Sequence, residues 1–99
     1  MTLVVPKVHV ASDVFAVDTD IIVSTMLATK SVAHLLQASF PEIQRVALVF
    51  EGLGVPHLHA KLYPLYGHEE HGRLDTADGK LADPVELERI ASIIRSHTI

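Results

Sequence analysis

The sequence contains no cysteine and no tryptophan, and aromatic residues make up only 5% of the chain. Without cysteine, disulfides, thiolate catalysis and cysteine-ligated zinc are excluded together, and the chain suits a reducing compartment. The formal net charge is −4 and the sequence has no basic run or stripe, which argues against nonspecific electrostatic binding to nucleic acid. We therefore expect a cytoplasmic protein that does not bind nucleic acid.

Long hydrophobic runs are also absent. No stretch approaches the ~20 uninterrupted apolar residues of a membrane span, and segment 1–7 lacks the build of a signal peptide. Yet 48% of the 99 residues are hydrophobic and the mean hydropathy is +0.31, which is high for one small domain. We therefore expect a single domain over residues 1–99 with no membrane association, and a homodimer interface that covers the surplus apolar surface.

The first half of the chain predicts two strands around a long helix. Leu3–Val10 is apolar and β-branched, as in a strand, and Pro6 suits an edge or a bulge. No glycine or proline interrupts the segment from Asp18 to Pro41, which predicts a helix. Its apolar positions cover a wide arc, which favours a dimer contact. The short apolar run Arg45–Phe50 predicts an interior strand.

The second half predicts a turn, a strand, a loop and a final helix. Glu51–Pro56 contains two glycines and predicts a turn, and His57–Tyr63 alternates strictly between polar and apolar residues, as a strand does. The polar segment His68–Lys80 predicts a loop. Asp83 is a good N-cap for a helix that ends near His97. The whole pattern predicts an α+β fold with an antiparallel sheet, one long central helix and one C-terminal helix.

The alternating strand is predicted to place its polar side chains on one face and its apolar core side chains on the other. Because side chains alternate across a strand, one face has His57, His59, Lys61 and Tyr63. The other face has Leu58, Ala60 and Leu62. Burying two imidazoles and an ammonium beside a core costs free energy, unless that face of the strand lines a polar cleft. A functional row is the interpretation we favour, and a solvated edge face is the alternative.

A row of this kind is suited to phosphate chemistry. Neutral imidazole is a nucleophile near pH 7, and attack on phosphorus would pass through a phosphohistidine intermediate. A neighbouring histidine can fix the tautomer and angle of the attacking ring, and a lysine can neutralise charge on the phosphate oxygens. The glycine-containing turn could offer backbone N–H groups to the same phosphate. This chemistry requires no cofactor.

At these residues the chain resembles the histidine triad (HIT) family of nucleotide hydrolases and transferases. The family pattern is His-φ-His-φ-His-φ-φ, where φ is apolar, and residues 57–63 match it except that Lys61 replaces the third histidine. Val55, Pro56 and Pro64 resemble the family's flanks. Leu3–His9 is similar to the family's strand "hLVVPKxH". The order of elements over residues 1–67 also agrees, and the C-terminal helix resembles one branch of bacterial HIT-like proteins.

The resemblance implies a role for each matching residue. His59 would be the nucleophile, His57 would orient it, and His9 would back the site from the neighbouring strand. The turn residues Gly52, Leu53 and Gly54 would lie where the family's backbone approaches the α-phosphate. Members cleave a nucleoside monophosphate from a leaving group on its α-phosphorus, are typically homodimers, and need no metal for the histidine chemistry.

The chain departs from the family in three ways. Lys61 keeps a proton donor and a positive charge, but lysine is a poor donor at neutral pH, so leaving-group protonation is open. Leu53 stands where the family usually has glutamine. Members also have some tens of residues before the strand that starts here at Leu3, so either the family's N-terminal strands are missing or the base pocket is built differently.

Two alternatives from other classes stay open. A non-catalytic nucleotide-binding module would use Lys61 to grip phosphate without an acid to finish the reaction. A divalent-metal site would use the His57 and His59 rings, completed by His9 or Glu51, although a lysine beside a metal ion is repelled.

The other histidines have simpler interpretations. His68 and His71 are read as parts of a solvated loop, although they lie close enough in sequence to join a metal site. His34 is predicted to be a core or interface residue. His97 is predicted to interact favourably with the dipole at a helix end.

Overall fold

The structure is a computed structural model that describes residues 1–68 and 83–98. The strands in this part of the chain are β1 (Thr2–Val4), β2 (Arg45–Val49) and β3 (Ala60–Leu65). The α-helices are α1 (Thr19–Ser39) and α2 (Pro84–Ser96), and a 3₁₀ turn at Val14–Ala16 precedes α1. An α+β fold with an antiparallel sheet and two helices is thus confirmed for the described residues. Most of the predicted loop His68–Lys80, His71 included, lies outside them.

The sheet has β3 at its centre. Within the described residues the strand order is β1-β3-β2, and both pairings are antiparallel. Lys61 of β3 lies opposite Leu3 on one side and opposite Val49 on the other. The strand that contains Lys61 is therefore held by neighbours on both sides.

The strands differ from their predicted bounds. β1 ends at Val4 rather than at Val10, because Pro6 cannot donate to a strand ladder. β3 begins at Ala60, so His57 and His59 precede the ladder; the segment is held instead by a hydrogen bond from the Leu58 N–H to the Val10 carbonyl (2.9 Å). The prediction that β2 is an interior strand is wrong for the described sheet, where β2 lies at an edge.

The long helix α1 has the predicted bounds, with Asp18 as N-cap and an end before Pro41. It packs on the sheet partly through small polar residues: Thr29 is buried, and its hydroxyl donates to the Thr25 carbonyl at 2.7 Å. Part of the apolar arc stays open, since Leu27 is 64% exposed. His34 is exposed too, so the prediction that it is a core residue is wrong, because it lies on an uncovered face of the helix.

Among residues 1–68 and 83–98, α1 alone is long and apolar enough to qualify as a membrane span, with 21 residues and a mean hydropathy of 1.2. Core helices of soluble proteins and signal sequences pass the same test, so this property is weak support for a membrane role. Its span includes the charged residues Asp20 and Lys30. The absence of membrane association stays a prediction.

The C-terminal helix α2 has the predicted signals at both ends. The Asp83 carboxylate accepts a hydrogen bond from the Val85 N–H (3.0 Å), Pro84 is the first helical residue, and His97 is the C-cap. Ile94 of α2 packs against the core. The buried residues of this core are Leu36, Ile43 and Leu62. Because Leu62 belongs to β3, the central strand contributes to the core on one face and to the site on the other.

Candidate functional site

An open cavity of about 660 Å³ lies over the predicted polar row. Four of its lining residues are the members of that row, His57, His59, Lys61 and Tyr63. The opposite row is buried, with Leu58 and Leu62 1% exposed and Ala60 fully covered. The prediction that polar and apolar residues separate onto two sides is therefore confirmed, even though the first two histidines precede the strand ladder.

His59 is buried and held in one tautomer. Its Nδ1 atom lies 2.6 Å from the main-chain carbonyl oxygen of His57. A carbonyl oxygen only accepts hydrogen bonds, so Nδ1 has the proton and donates. In the neutral ring the lone pair is then on Nε2, which lies 3.7 Å from the Glu51 Oε1 atom. The unprotonated nitrogen thus lies on the side of Glu51, and among the described residues the hydrogen bond that fixes the ring comes from the main chain.

His57 has both ring nitrogens engaged by the backbone of the N-terminal segment. Its Nε2 lies 3.0 Å from the Pro6 carbonyl oxygen, and the Val10 N–H donates to Nδ1 over a longer 3.4 Å. This pattern fits a neutral ring with the proton on Nε2. The resemblance implied that the His57 side chain orients His59, whereas the group of His57 that contacts His59 here is its carbonyl and not its ring.

His9 lies beside His57 rather than in the cavity lining. The two rings stack with centroids 5.6 Å apart and an interplanar angle of 21°. His9 is exposed and belongs to the irregular segment that follows β1, because that strand ends at Val4. The structure therefore brings His9 to the back of the His57 ring, from an irregular segment and not from the predicted strand.

Glu51 is the site residue that sequence reasoning missed, apart from naming it as a conceivable metal ligand. The Lys61 ammonium donates to Glu51 Oε1, and the Leu53 N–H donates to Oε2 at 3.1 Å. The hydrogen bond from Lys61, followed by that from the Leu53 backbone, lowers the pKa of the Glu51 carboxyl from its ordinary value. No local signal predicts this ion pair, because it depends on the β2–β3 register that sets Val49 opposite Lys61.

The residues of the glycine turn have different environments. Gly52 has a φ of +63°, and a Cβ there would lie 2.3 Å from the Ser12 carbonyl oxygen, so close backbone approach requires glycine. The Ser12 hydroxyl donates to the Gly52 carbonyl at 3.0 Å. Gly54 lines the cavity, whereas the Leu53 side chain is 91% exposed. In this structure Gly52 supports the turn, and Gly54 faces the site.

The metal interpretation gains no support from residues 1–68 and 83–98, where no group of three or more His, Cys, Asp or Glu side chains is placed to hold an ion. His68, which the sequence offered as a further metal ligand, stacks on the Tyr66 ring with centroids 5.9 Å apart. Within residues 1–68 and 83–98, the one carboxylate that lines the cavity is that of Glu51, and the Lys61 ammonium lies beside it. A cation already stands where a metal ion would have to be bound.

Comparisons with models of protein families, with curated proteins and with solved structures found no match to this chain.

Proposed function

We propose that this protein is a HIT-like nucleotidyl hydrolase or transferase that acts at the α-phosphate of a nucleotide, with His59 as nucleophile. The observation that supports this most is the fixed tautomer of His59. The His57 carbonyl accepts from Nδ1, so the lone pair is on Nε2, on the side of a cavity that Lys61 also lines.

The reaction would have two steps. In the first, the Nε2 lone pair forms an N–P bond as the bond from the α-phosphorus to the leaving group breaks, and the leaving group takes up a proton from solvent. The imidazolium character that develops on His59 is stabilised by the Nδ1–H bond to the carbonyl. In the second, water or another acceptor attacks the phosphohistidine and the N–P bond breaks; the acceptor's proton passes to solvent, the nucleotidyl group is released and His59 is restored. Lys61 would neutralise charge on the phosphate oxygens in both steps.

The cavity has the mixed character that a nucleotide needs. Its volume of about 660 Å³ falls in the range of small-molecule sites, roughly 300–1,000 Å³. Beside the polar row it has an apolar wall formed by Met1, Leu3, Val5, Val49 and Val55. A phosphate at the polar row would leave the nucleoside against this apolar wall.

The test is turnover of an adenosine phosphoramidate and of a dinucleoside polyphosphate, with and without a chelator. We expect chelator-resistant release of AMP by the unmodified protein and none by His59→Ala. His97→Ala is the matched control, because His97 is an exposed histidine at the end of α2. An acid-labile nucleotidyl adduct on His59, detected by mass spectrometry after rapid quenching, is expected as well. Turnover that survives in His59→Ala would rule the proposal out.

A second candidate is a nucleotide-binding module without turnover, and the Glu51–Lys61 ion pair is the observation that favours it. The Lys61 ammonium donates a hydrogen bond to the Glu51 carboxylate, so its proton is directed at that carboxylate and not at a leaving group. Binding of AMP by the unmodified protein, without turnover of either substrate, would support this candidate over the enzyme.

A further inference from the structure

We infer that Glu51 is an internal competitor for the phosphate-binding position, so that an anionic ligand reaches Lys61 only by displacing the Glu51 carboxylate. This inference rests on the proposed function, in that it assigns the anion position of the same site. Glu51 would thereby determine how tightly the site holds phosphate groups and how readily it releases a phosphate-bearing product.

The donors that meet at Glu51 define the anion position. Lys61 donates to Oε1 of the carboxylate, and the Leu53 backbone N–H donates to Oε2 at 3.1 Å. An ammonium and a main-chain N–H that converge on two oxygens of one group are the donors with which proteins bind a phosphate. The carboxylate therefore occupies the place of a ligand's oxygens.

The nucleophile borders the same position. Oε1 of Glu51 lies 3.7 Å from the His59 Nε2 atom, while it accepts from Lys61. An oxygen between the attacking nitrogen and the cation is where a non-bridging phosphate oxygen would lie during attack. A phosphate and the Glu51 carboxylate cannot both occupy it, because both are anionic and both need the same donors.

Exposure indicates which partner moves. The Glu51 side chain is 33% exposed, against 19% for Lys61 and 8% for His59. Lys61 lies on the central strand, between Leu3 and Val49, whereas Glu51 belongs to the turn after β2. Rotation of the carboxylate into solvent would release the Lys61 ammonium and the Leu53 N–H from Glu51 together. The glycine turn would then offer its backbone donor only when Glu51 has left.

The experiment measures binding of AMP and of inorganic sulfate by calorimetry to the unmodified protein and to Glu51→Gln. We expect Glu51→Gln to bind both anions on the order of fivefold more tightly, the scale of a partly exposed ion pair. Glu42→Gln is the matched control, because Glu42 is exposed and precedes the end of β2 that is remote from Lys61. Its affinity should equal that of the unmodified protein.

The Lys61→Gln background separates displacement from a general change in charge. If Glu51 competes for Lys61, adding Glu51→Gln to Lys61→Gln should give less than a twofold gain. An equal gain in both backgrounds, or an unchanged affinity in Glu51→Gln alone, would overturn the inference while leaving the proposed function standing. Failure of AMP to bind to any of these proteins would overturn both.

Discussion

The Nδ1 atom of His59 lies 2.6 Å from the carbonyl oxygen of His57, two residues earlier in the chain. The main chain therefore fixes the tautomer of His59, and the His57 ring is left to bind the backbone of residues 6–10. The two histidines are thus held by different groups: His59 by a main-chain carbonyl through its Nδ1 atom, and His57 by Pro6 and Val10.

Replacing His57 with alanine should destabilise the fold. The ring bridges the Pro6 carbonyl and the Val10 N–H, and its loss leaves these partly buried groups without that partner. We expect the free energy of unfolding to fall by about 1–3 kcal/mol in urea denaturation. His9→Ala removes only an exposed ring that stacks on His57, so it should lower the free energy of unfolding by less. Equal effects of the two substitutions would contradict the anchoring role.

Lys61→Gln should weaken nucleotide binding. The substitution removes the ammonium from the cavity, and a hydrogen bond to a charged group contributes on the order of 1.5–3 kcal/mol. We expect the Kd for AMP to rise by roughly tenfold or more. Lys7→Gln, a change at an exposed lysine outside the row, is the control. If the control loses as much affinity as Lys61→Gln, attraction by net charge explains the binding.

Two glycines of the same turn should respond differently to alanine. A Cβ at Gly52 would meet the Ser12 carbonyl oxygen and would require a residue with φ +63°, whereas Gly54 has open space around it. We expect Gly52→Ala to lower the free energy of unfolding by about 1–3 kcal/mol and Gly54→Ala to change it by less than ~1 kcal/mol. Thermal unfolding of both variants checks this contrast. The reverse order would show that the turn differs from the one described.

The Glu51–Lys61 ion pair should contribute a pH-dependent part of the stability. Because Lys61 lowers the pKa of Glu51 in the folded protein, the contribution is present above the ordinary value of 4.5 and is lost as the pH falls through the lowered pKa. The difference in stability between the unmodified protein and Glu51→Gln should therefore shrink below pH 4.5. Denaturation curves from pH 7 to pH 3 measure it. A difference that grows on acidification would have the wrong sign.

The homodimer prediction can be tested on α1. Leu27 and Val23 are 64% and 51% exposed, and a second copy would cover them. We expect Leu27→Glu to convert a dimer into a monomer in sedimentation equilibrium, with the helix content unchanged because the position is exposed. Lys30→Glu, at an exposed lysine of the same helix, should leave the dimer intact. A monomeric unmodified protein would contradict the prediction directly.

Local patterns predicted the parts of this molecule that depend on neighbouring residues. Alternation alone separated His59 and Lys61 from Leu58 and Leu62, because the strand period is set by the backbone. The bounds of α1 likewise followed from a segment without glycine or proline that ends before Pro41; the Asp18 side chain makes no capping hydrogen bond.

Contacts between distant segments could not be read in the same way. The His57 ring makes hydrogen bonds to Val10 and Pro6, which precede it in the chain by 47 and 51 positions. The Glu51–Lys61 ion pair depends in turn on the register between β2 and β3. Pro6 accounts for the early end of β1. The path of the residues after it depends on a distant contact, the hydrogen bond that the Leu58 N–H donates to the Val10 carbonyl.

Because β3 is the central strand of the described sheet, the same strand places Lys61 in the cavity lining and Leu62 in the core. Sliding that strand by a single residue would turn Leu62 toward the cavity and Lys61 toward Leu36 and Ile43. A one-residue insertion between positions 59 and 62 would therefore disturb both the cavity lining and the core.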